Sequence, residues 1–385
     1  MKVMLVIPHV SGGGGEKVFS ELACNLPGEI VIVVFEEKFS YPIKGKLISL
    51  NAPIDRRSPL TRAYGFFRRI FRFRRMLRDE HPDVVLSFMG EANFINALLS
   101  RRPVLAVHTH LSAISTTRGP IEAFAVDRLI RWLYRRATVV AVSEQVKRDL
   151  VERFGVPSRQ IVVIPNAVDI SKIATLAREP ADCPWNTKLP VIVTAGRLVS
   201  VKAHWHLLRA FAEVRKDRSC QLVLLGSGEL EDYLKNLAAD LGIDKDVFFL
   251  GWQSNPFKFM ARADVFVLSS LTEAFPLSLL EAMVCGLPVI ATDCPGSCRE
   301  IISAGIAGRC GVLVAVPDGT MYSAADPLTA QERFLANELI KMLDDRATRA
   351  RYVEAGLARA REFDASIFIA KYQRLLEATS QSSST

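Results

Sequence analysis

The chain has 385 residues, 49% of them apolar and 23% charged, with a formal net charge of +8. That size suits two globular domains, and the longest apolar runs, EIVIVVF and DVFVLSSL, are strand-sized, far short of the roughly 18 residues of a membrane span. Seven cysteines without a CxxC pair, and a start that runs straight into a strand, predict reduced thiols and a cytosolic setting rather than a disulfide framework or a signal peptide.

Charge is uneven. Residues 1–170 hold 25 Lys/Arg against 16 Asp/Glu, so the whole basic excess lies in the first half. An anionic partner surface, nucleic acid or lipid, is expected for that half alone.

In chain order, strands are predicted at 3–7, 30–35, 83–87, 104–107, 139–142 and 161–164. Helical periodicity falls near 15–26, 61–79, 92–100, 121–136 and 144–154. The polar, helix-breaking segment REPADCPWNTKLP follows. The alternation then resumes with VIVTAG, QLVLLG, VFFLG, DVFVLSS, PVIATD and GVLVAV. Continuous Val/Ile/Leu strands separated by helices predict two doubly wound α/β domains with parallel sheets covered on both faces. Ligands are expected at the carboxyl ends of the strands. The boundaries expected are 1–170, a linker at 171–188, and 189–363. The tail SQSSST, 380–385, has the composition of a disordered end.

The first strand leads into four glycines and a helix, an arrangement that brings backbone N–H groups to a phosphate. The dinucleotide fingerprint GxGxxG fails at Lys17 when started from Gly12 and at Val18 when started from Gly13. No Gly-Lys-Ser/Thr follows, so a P-loop is excluded too. The remaining reading is a flexible, ligand-proximal backbone, and four glycines exceed what a tight turn needs.

On the helix at 61–79, Phe66, Ile70, Phe73 and Leu77 share an arc of about 60°, with Arg68, Arg69, Arg72 and Arg75 on the other side. RLIRWLYRR adds Arg128, Arg131, Arg135 and Arg136 beside Trp132 and Tyr134. Such a face is either solvated surface or a site for anionic lipid and diphosphate groups. Arginine in excess over lysine favours phosphate.

In SSLTEAFPLSLLEAMVCGLPVIATD, a buried strand ends at Ser269–Ser270, Glu273 sits in a loop, and Glu281 follows seven residues later beyond a helix start near Pro276. This string resembles the Glu-x7-Glu signature of retaining GT-B glycosyltransferases of family 4. GGGGEKV, VIPNAVD, TAGRLVSVKAH, LVLLGSGEL and VFFLGW resemble that family's other motifs in order, so the likeness spans essentially the whole chain. It implies two Rossmann-like domains facing across a cleft, with a last helix, 364–380, crossing back to the first.

The resemblance further implies that Arg197 and Lys202 hold the pyrophosphate of a nucleotide sugar. Glu281 would bind the ribose, and Glu273 with Phe275, Leu277 and Ser278 the sugar. Gly13 and Gly14 would approach the diphosphate, and His108, or its rival His110, the reacting sugar. Ala274 stands where the family commonly has glycine, and Pro276 lacks an N–H, both in the sugar-recognition loop. FSYPIKGK and GWQSNPFKFMARADVF look closest to bacterial transferases extending undecaprenyl-diphosphate-linked oligosaccharides with N-acetylhexosamines.

The expected partners are therefore a UDP-sugar, a lipid-linked saccharide acceptor and the anionic inner face of the cytoplasmic membrane, with no nucleic acid. A soluble sugar or a phosphatidylinositol-type lipid is the alternative acceptor, and a nucleotide-binding oxidoreductase the rival class. No cofactor and no metal are expected. DKD at 244–246 reads as a surface turn, and HTH and HWH lack a further ligand set.

Overall fold

The computed structural model describes residues 1–54, 58–108, 120–303, 305 and 308–381. The chain divides into two compact units, Met1–Ala167 with Ala365–Thr385, and Val168–Asp364.

The first unit runs β1 (Lys2–Ile7), α1 (Gly14–Asn25), β2 (Glu29–Val34), β3 (Lys46–Ser49), α2 (Pro59–Glu80), β4 (Val84–Phe88), α3 (Gly90–Leu99), β5 (Pro103–Val107), α4 (Pro120–Tyr134), β6 (Thr138–Ala141), α5 (Glu144–Glu152) and β7 (Ile161–Val163). Its seven strands pair in parallel in the order β3-β2-β1-β4-β5-β6-β7. β1, β4 and β5 are buried almost throughout, which is why they read as unbroken apolar runs. β3 escaped the sequence reading because KLIS is short, half polar and lies at the sheet edge.

The second unit begins with α6 (Ile170–Ala177). It continues with β8 (Val191–Ala195), α7 (His204–Asp217), β9 (Gln221–Leu225), α8 (Glu231–Asp240), β10 (Val247–Phe249), α9 (Phe257–Met260), β11 (Val265–Leu268), α10 (Leu277–Val284), β12 (Val289–Thr292), α11 (Cys298–Ser303), β13 (Gly311–Val314), α12 (Ala330–Asp344) and α13 (Arg346–Arg361). The parallel order is β10-β9-β8-β11-β12-β13. α6 occupies part of the stretch expected to be linker. Asp169 caps it through the Lys172 N–H at 2.9 Å, and Ile173 is buried, so the segment is a packed helix.

The last helix, α14 (Ala365–Gln381), belongs to the first unit and packs on α1 and β4, with Phe368, Tyr372 and Leu376 buried. It takes up Ser380 and Gln381 of the expected disordered tail; residues 382–385 lie outside the described residues.

Helix α2 corrects one expectation. Phe73 is fully buried, with Phe66, Ile70 and Leu77 packed against the same core, as the periodicity predicts. Arg69, however, does not belong to a solvated basic face. Its side chain is buried, donating through Nε to Glu91 at 2.6 Å and through Nη1 to the Ala52 and Pro53 carbonyls at 3.0 and 2.8 Å. Arg72 is half-buried and donates to the Leu50 and Asn51 carbonyls. The reason is angular: Arg69 precedes Phe73 by four residues, only about 40° around the helix, so its guanidinium reaches the core edge. Arg68 and Arg75 are exposed.

Candidate functional site

In the second unit the strand order reverses between β8 and β11, so the crevice at their carboxyl ends is where such a sheet binds ligands. Arg197 follows β8 by two residues and is exposed. Lys202 ends a single 3-10 turn, and Ala203 after it takes the left-handed conformation, φ 48°, which turns the chain into α7. The Lys202 stem lies 3.6 Å from where a Gly196 side chain would begin, so the missing side chain leaves its path open. Its ammonium donates to Glu273 Oε1, which also accepts from Ser270 Oγ at 2.6 Å. The pair is mostly buried, at 18% and 10% exposure.

The loops are braced by backbone. Leu271 N–H donates to the Val201 carbonyl at 2.8 Å, and Ser269 Oγ to the Lys202 carbonyl at 2.8 Å. Glu273 N–H and Thr272 Oγ1 both donate to the Pro295 carbonyl, at 3.0 and 3.1 Å. Gly296, at φ 133°, lies so close that an added Cβ would fall 1.3 Å from the Glu273 oxygen. Gly226 and Gly228, after β9, likewise press on the Gly196 and Leu198 carbonyls. Only glycine permits these approaches.

Phe275 and Leu277 are buried, Phe275 against the Phe363 ring at 5.5 Å, and Ser278 is half-buried at the start of α10. Glu281 lies on α10 and is buried, so it is not a solvated helix position. Its charge helps raise the neighbouring Cys285 thiol to about 12, although burial is the larger cause. The structure thus joins Lys202 to Glu273 directly and keeps Arg197 on the same β8–α7 loop as Lys202. Ser270, which orients Glu273, went unnoticed in the sequence. Its only signal was a polar pair closing an apolar strand.

In the first unit the reversal lies between β1 and β4. Gly13 is the N-cap of α1 and offers no side-chain cap, and Gly14 is the first helical residue. A side chain at Gly15 would begin 3.3 Å from Met89 Cε and 3.9 Å from His108 Cβ. The glycine loop, the end of β4 and the end of β5 therefore converge. Met89 carries strain there, with φ 73° and ψ 154°, a region that side chains rarely occupy. His108 stacks on Phe88 at 5.1 Å, and burial drives its imidazole down to about 4 while Asn166 pulls weakly the other way. Neither ring nitrogen has a well-formed hydrogen bond among the described residues. His110 lies outside those residues. Glu16, missed in the sequence reading, is buried in the first turn of α1, with Oε2 2.6 Å from where a Gly13 side chain would begin.

Comparison with known proteins agrees with this fold. Residues 177–359 match the model for glycosyl transferases group 1, and residues 12–172 that for glycosyltransferase family 4. The chain is 30% identical over 364 residues to an uncharacterized glycosyltransferase of Methanocaldococcus jannaschii, covering 87% of this chain and 89% of that one. It is 27% identical to the N-acetylgalactosamine-N,N'-diacetylbacillosaminyl-diphospho-undecaprenol 4-alpha-N-acetylgalactosaminyltransferase of Campylobacter jejuni, covering 94% and 96%. Among solved structures, Anabaena Alr3699/HepE in complex with UDP superposes with a TM-score of 0.75 at 21% identity, covering 98% and 100%. A glycosyltransferase from Rickettsia africae gives 0.74 at 17%, covering 99% of each. Two Rossmann-like units with these strand orders, two family models that together span most of the chain, and a relative matched almost end to end make this protein a GT-B glycosyltransferase of group 1.

Proposed function

We propose that the protein is a retaining transferase that moves a sugar, N-acetylhexosamine by preference, from its UDP derivative to a polyprenyl-diphosphate-linked saccharide. The observation that carries this is the Lys202–Glu273–Ser270 cluster at the strand-order reversal, with Arg197 on the same loop as Lys202. Breaking the sugar–phosphate bond leaves negative charge on the departing diphosphate. Lys202 and Arg197 supply fixed positive charge there, the role a divalent ion plays in other transferases, so the reaction runs without metal. Lys202 held on Glu273 is a cation already positioned, which a diphosphate can recruit. Glu281 takes the ribose hydroxyls. With no carboxylate nucleophile assigned, retention follows from same-face attack, a donor phosphate oxygen accepting the incoming hydroxyl's proton. His108 lines the reacting sugar as a neutral imidazole.

The lipid-linked acceptor rests on the Campylobacter relative and on the first unit's charge. The face of α2 that meets an anionic membrane is narrower than the arginine pattern suggested. Tyr64, Phe67 and Phe71 are 70%, 68% and 70% exposed on the side that carries Arg68 and Arg75. Aromatic rings interleaved with arginines suit the headgroup layer. Arg69 and Arg72 are spent on backbone carbonyls, so charge reversal there would test folding, not docking.

The deciding experiment is UDP release from a panel of UDP-sugars in EDTA, with and without a polyprenyl-diphosphate-linked saccharide. Release with one donor and only with the lipid acceptor is expected. Release with soluble sugars alone would move the acceptor to the alternative. In vesicle sedimentation, the Arg68→Glu/Arg75→Glu and Phe67→Ser/Phe71→Ser pairs should each lose binding to anionic vesicles. Unchanged sedimentation would return α2 to ordinary surface.

A further inference from the structure

The loop that leaves β12 holds a feature no transfer chemistry requires. Cys294 and Cys298 are both buried, with their sulfurs 3.6 Å apart. Between them lie Pro295, whose carbonyl takes the Glu273 and Thr272 hydrogen bonds, and Gly296, whose backbone presses on Glu273. The dithiol therefore sits directly behind the residue that holds Lys202.

We propose that Cys294 and Cys298 form a reversible disulfide that pulls the 294–298 loop away from Glu273 and so switches off the donor site. The inference rests on the reading of Lys202 and Glu273 as donor-binding groups.

A disulfide needs its sulfurs at about 2.05 Å, so oxidation draws the pair together by about 1.5 Å. The intervening loop has no slack to absorb that, because Gly296 is already in backbone contact with Glu273. Burial excludes bulky disulfides as the oxidant, and a small hydroperoxide is the class that reaches the pair. The hydrogen bond between the two thiols lowers the pKa of Cys294 and raises that of Cys298, which makes Cys294 the attacking sulfur. It takes the distal peroxide oxygen, giving a sulfenic acid and the alcohol, or water where the oxidant is hydrogen peroxide. The Cys298 sulfur then attacks the sulfenic sulfur, the S–S bond forms and water leaves. Two thiols lose two hydrogens and two electrons, and the hydroperoxide gains them. A dithiol reductant reverses the step.

The test uses the full chain treated with hydrogen peroxide and then with dithiothreitol. The seven free thiols should fall to five, with a peptide map joining Cys294 to Cys298. Amide exchange at Glu273 should accelerate in the oxidised protein, and UDP affinity should drop by about tenfold, the scale of one lost charge-assisted hydrogen bond. Dithiothreitol should restore both. Cys294→Ser and Cys298→Ser should bind UDP like the reduced wild type and ignore peroxide. Seven thiols surviving treatment, a disulfide elsewhere, or unchanged exchange at Glu273 would each overturn the proposal. Were UDP to bind neither form, the functional reading would fall, while the thiol count and the exchange at Glu273 would still decide the switch.

Discussion

At the scale of single residues, the site depends on side chains whose partners fix their role. Lys202→Ala removes the cation beside Glu273 and should lower kcat/KM by about 2–4 kcal/mol in transition-state stabilisation, the usual loss for a leaving-group stabiliser. Turnover at the wild-type level would refute the diphosphate assignment. Glu281→Ala should weaken UDP itself as well as the donor sugar, measured by calorimetry, since a ribose contact is common to both. His108, held near 4 by burial, is neutral across the physiological range. Turnover between pH 6 and 8 should therefore show no inflection that disappears in His108→Ala.

At the scale of elements, the loops after the strands are shaped by glycine rather than by side chains. Gly296→Ala cannot keep its φ of 133° or its distance from Glu273, so the β12–α11 loop must rebuild. A lower melting temperature and weakened UDP binding should appear together. Gly14→Val differs: it adds bulk at the start of α1, beside Gly13, which has no side chain to cap the helix. That variant should keep its melting temperature but lose activity. Full activity would make the glycine run a plain turn.

For the molecule as a whole, acid stability follows from three buried groups. His204 is pushed down to about 3, by burial first and then by Lys202, and His108 to about 4. Each binds its proton more readily in the unfolded chain, whose histidines titrate near 6.5. Their contribution is thus present above pH 6.5 and is lost as pH falls towards 4 and 3. Glu332 works in the same direction. Burial opposes its charge, but hydrogen bonds from His206 at 2.7 Å and Arg209 at 2.8 Å win and set it near 2. Its contribution is lost between pH 4.5 and 2. Thermal denaturation should show stability declining from pH 6.5 downward by on the order of a few kcal/mol by pH 4. His204→Leu should flatten the upper part of that decline, and an equal slope in the variant would contradict the assignment.

The sequence by itself determined the architecture, because parallel strands buried on both faces leave uninterrupted Val/Ile/Leu runs and the helices between them keep a 3.6-residue period. All twelve predicted strand segments appear in the sheets, and Glu273 and Glu281 lie in the loop after β11 and in the helix that follows it, as expected. What only the tertiary structure decided were contacts between residues distant in the chain. Glu273 meets Lys202 across 71 positions, and Arg69 finds Glu91 and two carbonyls that no helical wheel displays. The edge strand β3 carries too few apolar residues to leave a periodic trace, since half of it faces solvent. Cys294 and Cys298 look like two of seven scattered thiols until a turn at Pro295–Gly296 folds one against the other.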